Sequence, residues 1–139
     1  MAQLGTLERS CKQTYLKVKS AFTGDVTIDA IVFGPVPQSY QGTVVCLNHT
    51  NHTSDYMSDD TSLDVHTYVI SVYNRDYVTA ASKCDLAFQA FQASQSTAVA
   101  GAITYTDIYF TESQGIEHVD EDGYVADLII EHHVRQSPT

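Results

Sequence analysis

Six histidines and seventeen acidic residues are the side chains with the most chemistry to offer in this chain. His49-x-x-His52 has a spacing that one metal ion could bridge, but it sits in a run of Asn, Thr, Ser and Asp with no cysteine nearby. His132 and His133 are adjacent in a segment that reads as a strand, so their rings point to opposite faces and cannot share an ion unaided. His66 and His118 stand alone in the sequence. The carboxylates form two groups, Asp55, Asp59 and Asp60, then Glu117, Asp120, Glu121 and Asp122. Neither alternates its oxygens and closes on a bidentate Glu, as a calcium loop does. A glycosidase pair needs two carboxylates across a cleft, which spacing alone does not place. No GxSxG, HExxH or P-loop occurs. Gly34-Pro35-Val36-Pro37 is a proline-locked turn and not a nest of amide donors. The expectation is a protein that is not an enzyme, with no catalytic residue, no metal site and no cofactor.

Charge and composition narrow the partners. At −10 the chain is poorly suited to neutralising phosphates, which takes Lys and Arg. Its basic residues are uneven: Arg9, Lys12, Lys17 and Lys19 lie in the first twenty positions, leaving Arg75, Lys83 and Arg135 for the rest. A basic N-terminal helix on an acidic body suits subunits meeting head to flank, and it equally suits a solvated helix face. Nine Tyr and no Trp favour surfaces where a ring is half buried and half wet. Cys11, Cys46 and Cys84 show no CxxC and fall at apolar-periodic positions, so unbridged buried thiols are expected. The first residues carry charge where a signal peptide has its apolar core, and no stretch approaches spanning length, so cytosolic synthesis without membrane association is expected. The sequons at Asn48 and Asn51 then read as coincidence.

The elements follow from periodicity. Leu4, Leu7, Cys11, Tyr15, Val18 and Phe22 recur at three and four, predicting a helix that ends at Thr23-Gly24-Asp25. Val26 to Phe33 and Thr43 to Leu47 read as short strands flanking the prolines. Asn48 to Ser62 reads as a long polar loop, functional or disordered. Asp64 to Tyr73 is apolar on both faces and is expected to be covered on both, by helices or by a neighbouring subunit. Asn74-Arg75-Asp76 supplies helix-start chemistry for a second helix bearing Ala80, Cys84, Ala87 and Phe91 on one face. After a polar link come a strand at Ile103 to Phe110, an acidic connection, and a last strand at Tyr124 to Val134. Residues 136–139 read as a frayed tail. The fold expected is α+β, one domain over 1–139, a mostly antiparallel sheet of about four to five strands packed against two main helices.

Three passages carry a family likeness: VFGPVP at Val32 to Pro37 with the short strand Thr43 to Leu47, the strand-to-helix passage YVISVYNRDYVTAASKCDLAF, and the closing DGYVADLIIEHHV. On these the chain resembles the tail terminator (tail completion) proteins of long-tailed bacteriophages and gene transfer agents. It departs from them after Val36-Pro37-Gln38, where SYQGTVV replaces the Phe-Pro-Tyr element of many relatives. The resemblance implies a homo-oligomeric ring, usually of six subunits, on the head-proximal end of the virion tail tube. Its partners would be the tail tube protein and the head-side connector or stopper, with genomic DNA passing through the lumen unbound. Interface candidates under that reading are Tyr56, Met57, Asp59 and Asp60 in the polar stretch, Arg9 and Lys12 on the first helix, and Tyr68 and Tyr73 on the long strand. Two other readings stay open: a head-completion or neck protein of the same virion joint, and a small ligand-binding or hydrolytic α+β domain with a deep pocket.

Overall fold

A computed structural model describes residues 5–35, 42–56, 60–92, 94–119 and 123–138. Two helices, α1 (Leu7–Ala21) and α2 (Tyr77–Phe91), lie on one face of a six-stranded sheet. The strands are β1 (Ile28–Phe33), β2 (Thr43–Tyr56), β3 (Ser62–Asn74), β4 (Ser94–Ala100), β5 (Ile103–His118) and β6 (Tyr124–Pro138). Their order is β1-β2-β3-β6-β5-β4, with β1 parallel to β2 and every other pair antiparallel. The sheet curls into a half-barrel.

The expected sheet of four to five strands is thus corrected to six, and strands dominate the described residues. One polar segment adds the sixth strand and two others lengthen strands already expected. The stretch expected as a loop from Asn48 is strand as far as Tyr56, paired in register with Leu63 to Val69 and Ser62 of β3. It forms a solvated hairpin arm, exposed at most positions from Asn48 onward, so no apolar alternation marks it. The expected polar link after α2 is the edge strand β4, exposed from Gln95 to Ala100. The expected acidic connection continues β5 to His118, after a register shift between Thr111 and Ser113. The segment expected as a frayed tail is strand through Pro138, with Thr139 outside the described residues. Gln136 is buried, and β6 pairs through Pro138 with Ile103.

The helices are held by capping and by small residues. Asp76 caps α2, its carboxylate accepting from the Thr79 amide at 2.9 Å. Gly24 takes φ 79 after α1, a left-handed conformation that costs glycine nothing. Ala80, Cys84, Ala87 and Phe91 of α2 pack on Ile70, Val72, Leu128 and Ile130 of the central strands, joined by Val18 and Phe22 of α1. Truncating a side chain such as Phe91, fully buried here, costs about 3–5 kcal/mol by transfer and cavity terms.

The other face of the sheet differs. Tyr73, Val44, Cys46 and Val125 form a small buried cluster at one end. Beyond it Val65, Val69, Ile108 and Ile129 are only half buried and Phe110 is exposed. Among the described residues no helix lies on this face. The covering expected on both sides of β3 is present on one side within the subunit.

Candidate functional site

The first helix docks through hydroxyls where the sequence suggests hydrocarbon. Thr6, Ser10 and Thr14 recur every four residues, one helix face, and all three are buried. Leu7 and Leu16 are instead about half exposed, at 51% and 55%. In its N-terminal part the buried face is rotated by one residue from the expected one, because the sheet beneath it is polar, whereas Val18 and Phe22 are buried as expected.

That polarity comes from two rows of register partners on the same face. One row is His52 (β2), His66 (β3), His132 (β6) and Tyr109 (β5). Its rings meet as a stack at 4.4 Å, a tilted pair at 6.2 Å and a second stack at 4.2 Å. The next row is Ser54, Asp64, Val134 and Asp107.

The hydroxyl stripe of α1 closes this network. The Thr6 hydroxyl donates to Asp64 Oδ2 and accepts from His66 Nε2 at 2.8 Å. His66 Nδ1 then accepts from His49 Nε2 at 2.9 Å. Ser54 donates to Asp64 Oδ1 at 2.6 Å. Ser10 bridges the Tyr68 hydroxyl at 2.8 Å and His132 Nδ1 at 2.7 Å. His132 Nε2 reaches Asp107 Oδ1 at 2.9 Å, and Arg9 Nη2 donates to Asp107 Oδ2 at 2.5 Å. Thr14 meets the Tyr109 hydroxyl at 3.2 Å. Buried polar groups are tolerated only when paired in this way.

Electrostatics follows the burial. Burial pushes His66 down to about 4, helped by the neighbouring imidazoles of His52, His49 and His132 and opposed by Asp64. Burial also lowers His132, although Asp107 pulls it back up. Burial would raise Asp107, but the hydrogen bonds from His132 and Arg9 outweigh it and hold the carboxyl below its ordinary range. Tyr68 and Tyr109 are both raised by burial. At neutral pH the network therefore holds His66 and His132 neutral beside an ionised Asp107 bound to Arg9.

Ser10, His132 and Asp107 make a hydroxyl, imidazole and carboxylate run, the constituents of a hydrolytic relay. Here they are 0%, 0% and 1% exposed, so no substrate atom reaches the hydroxyl in this conformation. The arrangement fastens α1 to the sheet. The pockets beside it are open grooves. One, between α2 and β5, has Cys84, Ala81 and Ile116 in its walls and Gln114 bonded to Asp85 at 3.0 Å across it.

The six interface candidates among the described residues are scattered. Tyr56 is 54% exposed near the tip of the hairpin arm, and its hydroxyl donates to Asp60 at 2.6 Å. Met57 and Asp59 lie outside the described residues. Arg9 is turned inward onto Asp107, whereas Lys12 is exposed and pairs with Glu8 at 2.8 Å. Tyr68 and Tyr73 are fully buried in the subunit, one under the helices and the other in the cluster on the opposite face. The structure brings together three histidines that the sequence leaves apart: His49 and His52 meet His66 across the hairpin. Their link is the β2–β3 register, which appears only once Asn48 to Tyr56 is taken as strand. His52, Asp64 and His66 each offer a ligand atom within 4.8 Å of the others.

No protein-family model matches the chain, and no curated protein matches it. Among solved structures, a chain from the virion of a native gene transfer agent particle shares the fold. The superposition has a TM-score of 0.61, covers 88% of this chain and 91% of that one, and has 15% sequence identity.

Proposed function

We propose that this protein is a structural subunit of a phage-like virion, assembling as a ring that ends the tail tube at its head-proximal side. The observation that carries the reading is the shared fold with a gene transfer agent virion chain over nearly the whole of both chains. The half-buried face bearing Val65, Val69, Ile108 and Ile129 supports it, since a neighbouring subunit would complete that burial. A net charge of −10 suits a bore that passes DNA without holding it. Six subunits is the number that the family resemblance implies, with the tail tube protein and the head-side connector as the flanking partners. In this role the chain acts by assembly and not as an enzyme.

A head-completion or neck protein draws on the same fold likeness and the same open face. Electron microscopy of lysates with the gene inactivated separates the two. Overlong or ragged tails apart from DNA-filled heads are expected for tail termination. Tails of normal length beside unattached heads would move the protein to the head side of the joint. Intact virions would overturn both.

A further inference from the structure

We propose that His52, Asp64 and His66 form a site for one first-row transition-metal ion of the zinc type, at the base of the β2–β3 hairpin arm. The donors are two imidazoles and a carboxylate whose ligand atoms lie within 4.8 Å of one another. Two nitrogens and one oxygen suit zinc and its neighbours better than calcium or magnesium, which take oxygen shells. Three protein donors leave a fourth position for water.

The scaffold is rigid where a site needs it to be. Asp64 and His66 are two residues apart on β3, on one face, and His52 is the register partner of His66 on β2. The outer contacts of a metal site are already in place. Ser54 holds one Asp64 oxygen at 2.6 Å, and His49 Nε2 lies 2.9 Å from His66 Nδ1, so that when an ion binds the His66 proton moves to Nδ1, which donates to His49 and frees the Nε2 lone pair toward Asp64. The Thr6 hydroxyl now bridges that nitrogen and Asp64 Oδ2, the position that an ion between them would take over.

One ligand must move. His52 lies flat on His66, with rings 4.4 Å apart and 4° from parallel. Parallel rings cannot both aim a lone pair at one ion. The His52 side chain is 36% exposed and its Nε2 stands 3.6 Å from Asp64 Oδ1, so turning this ring out of the stack completes the set from the solvent side. Asp64 and His66 are buried and stay as they are.

The test is calorimetric titration of chelator-stripped full-length protein with zinc chloride, paralleled by cobalt(II) and visible absorption. One ion per chain is expected, with a cobalt spectrum of low coordination number. His52→Ala, an exposed position that leaves the fold intact by circular dichroism, is expected to weaken binding at least about tenfold. Asp64→Asn should do the same in any preparation that stays folded, while the exposed His118→Ala leaves binding unchanged. No saturable binding at millimolar zinc, or equal binding by His52→Ala, overturns the proposal.

Discussion

The Ser10 hydroxyl meets His132 Nδ1 at 2.7 Å, a contact between the first helix and the last strand across 122 positions of sequence. Both side chains are fully buried, and the same hydroxyl also meets Tyr68. Ser10→Ala leaves two buried polar groups short of a partner, so a loss of about 1–3 kcal/mol is expected. Urea denaturation checks it, with an unchanged m-value marking the loss as one of stability alone.

Acid should loosen the same layer. His66 has a folded pKa of about 4 against an ordinary 6.5, so the fold favours its neutral form. Below pH 6.5 the unfolded chain takes up a proton that the folded chain refuses until about pH 4. The contribution is whole above pH 6.5 and is lost as pH falls through that window. His132 is shifted in the same direction and adds to the loss. Discounting the full shift for the solvent beside His52, a fall of roughly 2 kcal/mol is expected by pH 4.5. Denaturation curves in chelator at pH 7.5 and 4.5 measure it, and equal midpoints would refute it.

Arg9 and Lys12 are neighbours on α1, and both are ion-paired, yet their removal should differ. Asp107 is 1% exposed, so Arg9→Met leaves a buried carboxylate with its His132 hydrogen bond but no cation beside it and should cost about 3–5 kcal/mol. Lys12 pairs with Glu8 in open solvent, and Lys12→Met should leave the melting temperature unmoved. Thermal melts of the two variants side by side decide the point.

Gly123 lies against the ring of Tyr73. A Cβ there would fall 2.5 Å from the ring carbon Cε2, closer than any real contact. Gly123→Ala is expected to destabilise by about 1–3 kcal/mol through overpacking. Gly123→Ala combined with Tyr73→Leu, which makes room, should lose less than the two single changes added together.

Both helices, the long strand β3 and the alternation of β6 were legible because an apolar face leaves a period in the sequence. Leu128 and Ile130 inward with Asp127 and Glu131 outward is such a signal. The N-terminal part of the α1 docking face was not legible, although Val18 and Phe22 were. Thr6, Ser10 and Thr14 look like solvent residues until Asp64, Tyr68, His132 and Tyr109 are brought beneath them, and these partners lie 58 to 122 positions away. Strand β4 and the outer parts of β2 and β5 were lost for a related reason. Their side chains are largely in water, so the pairing that makes them strands is carried by backbone and leaves no hydropathy trace.

The sheet order sets a timetable for synthesis. β6 is made after the other five described strands, yet it lies between β3 and β5. Until it leaves the ribosome, the chain can offer only two separate pieces, β1-β2-β3 and β4-β5, each with a raw edge where β6 will enter. At about 5–20 residues per second the first piece waits several seconds for its neighbour. The imidazole row then closes in one step, as His132 arrives between His66 and Tyr109. A nascent chain stalled before Tyr124 therefore has no sheet centre, and both raw edges stay open to strand pairing with other chains.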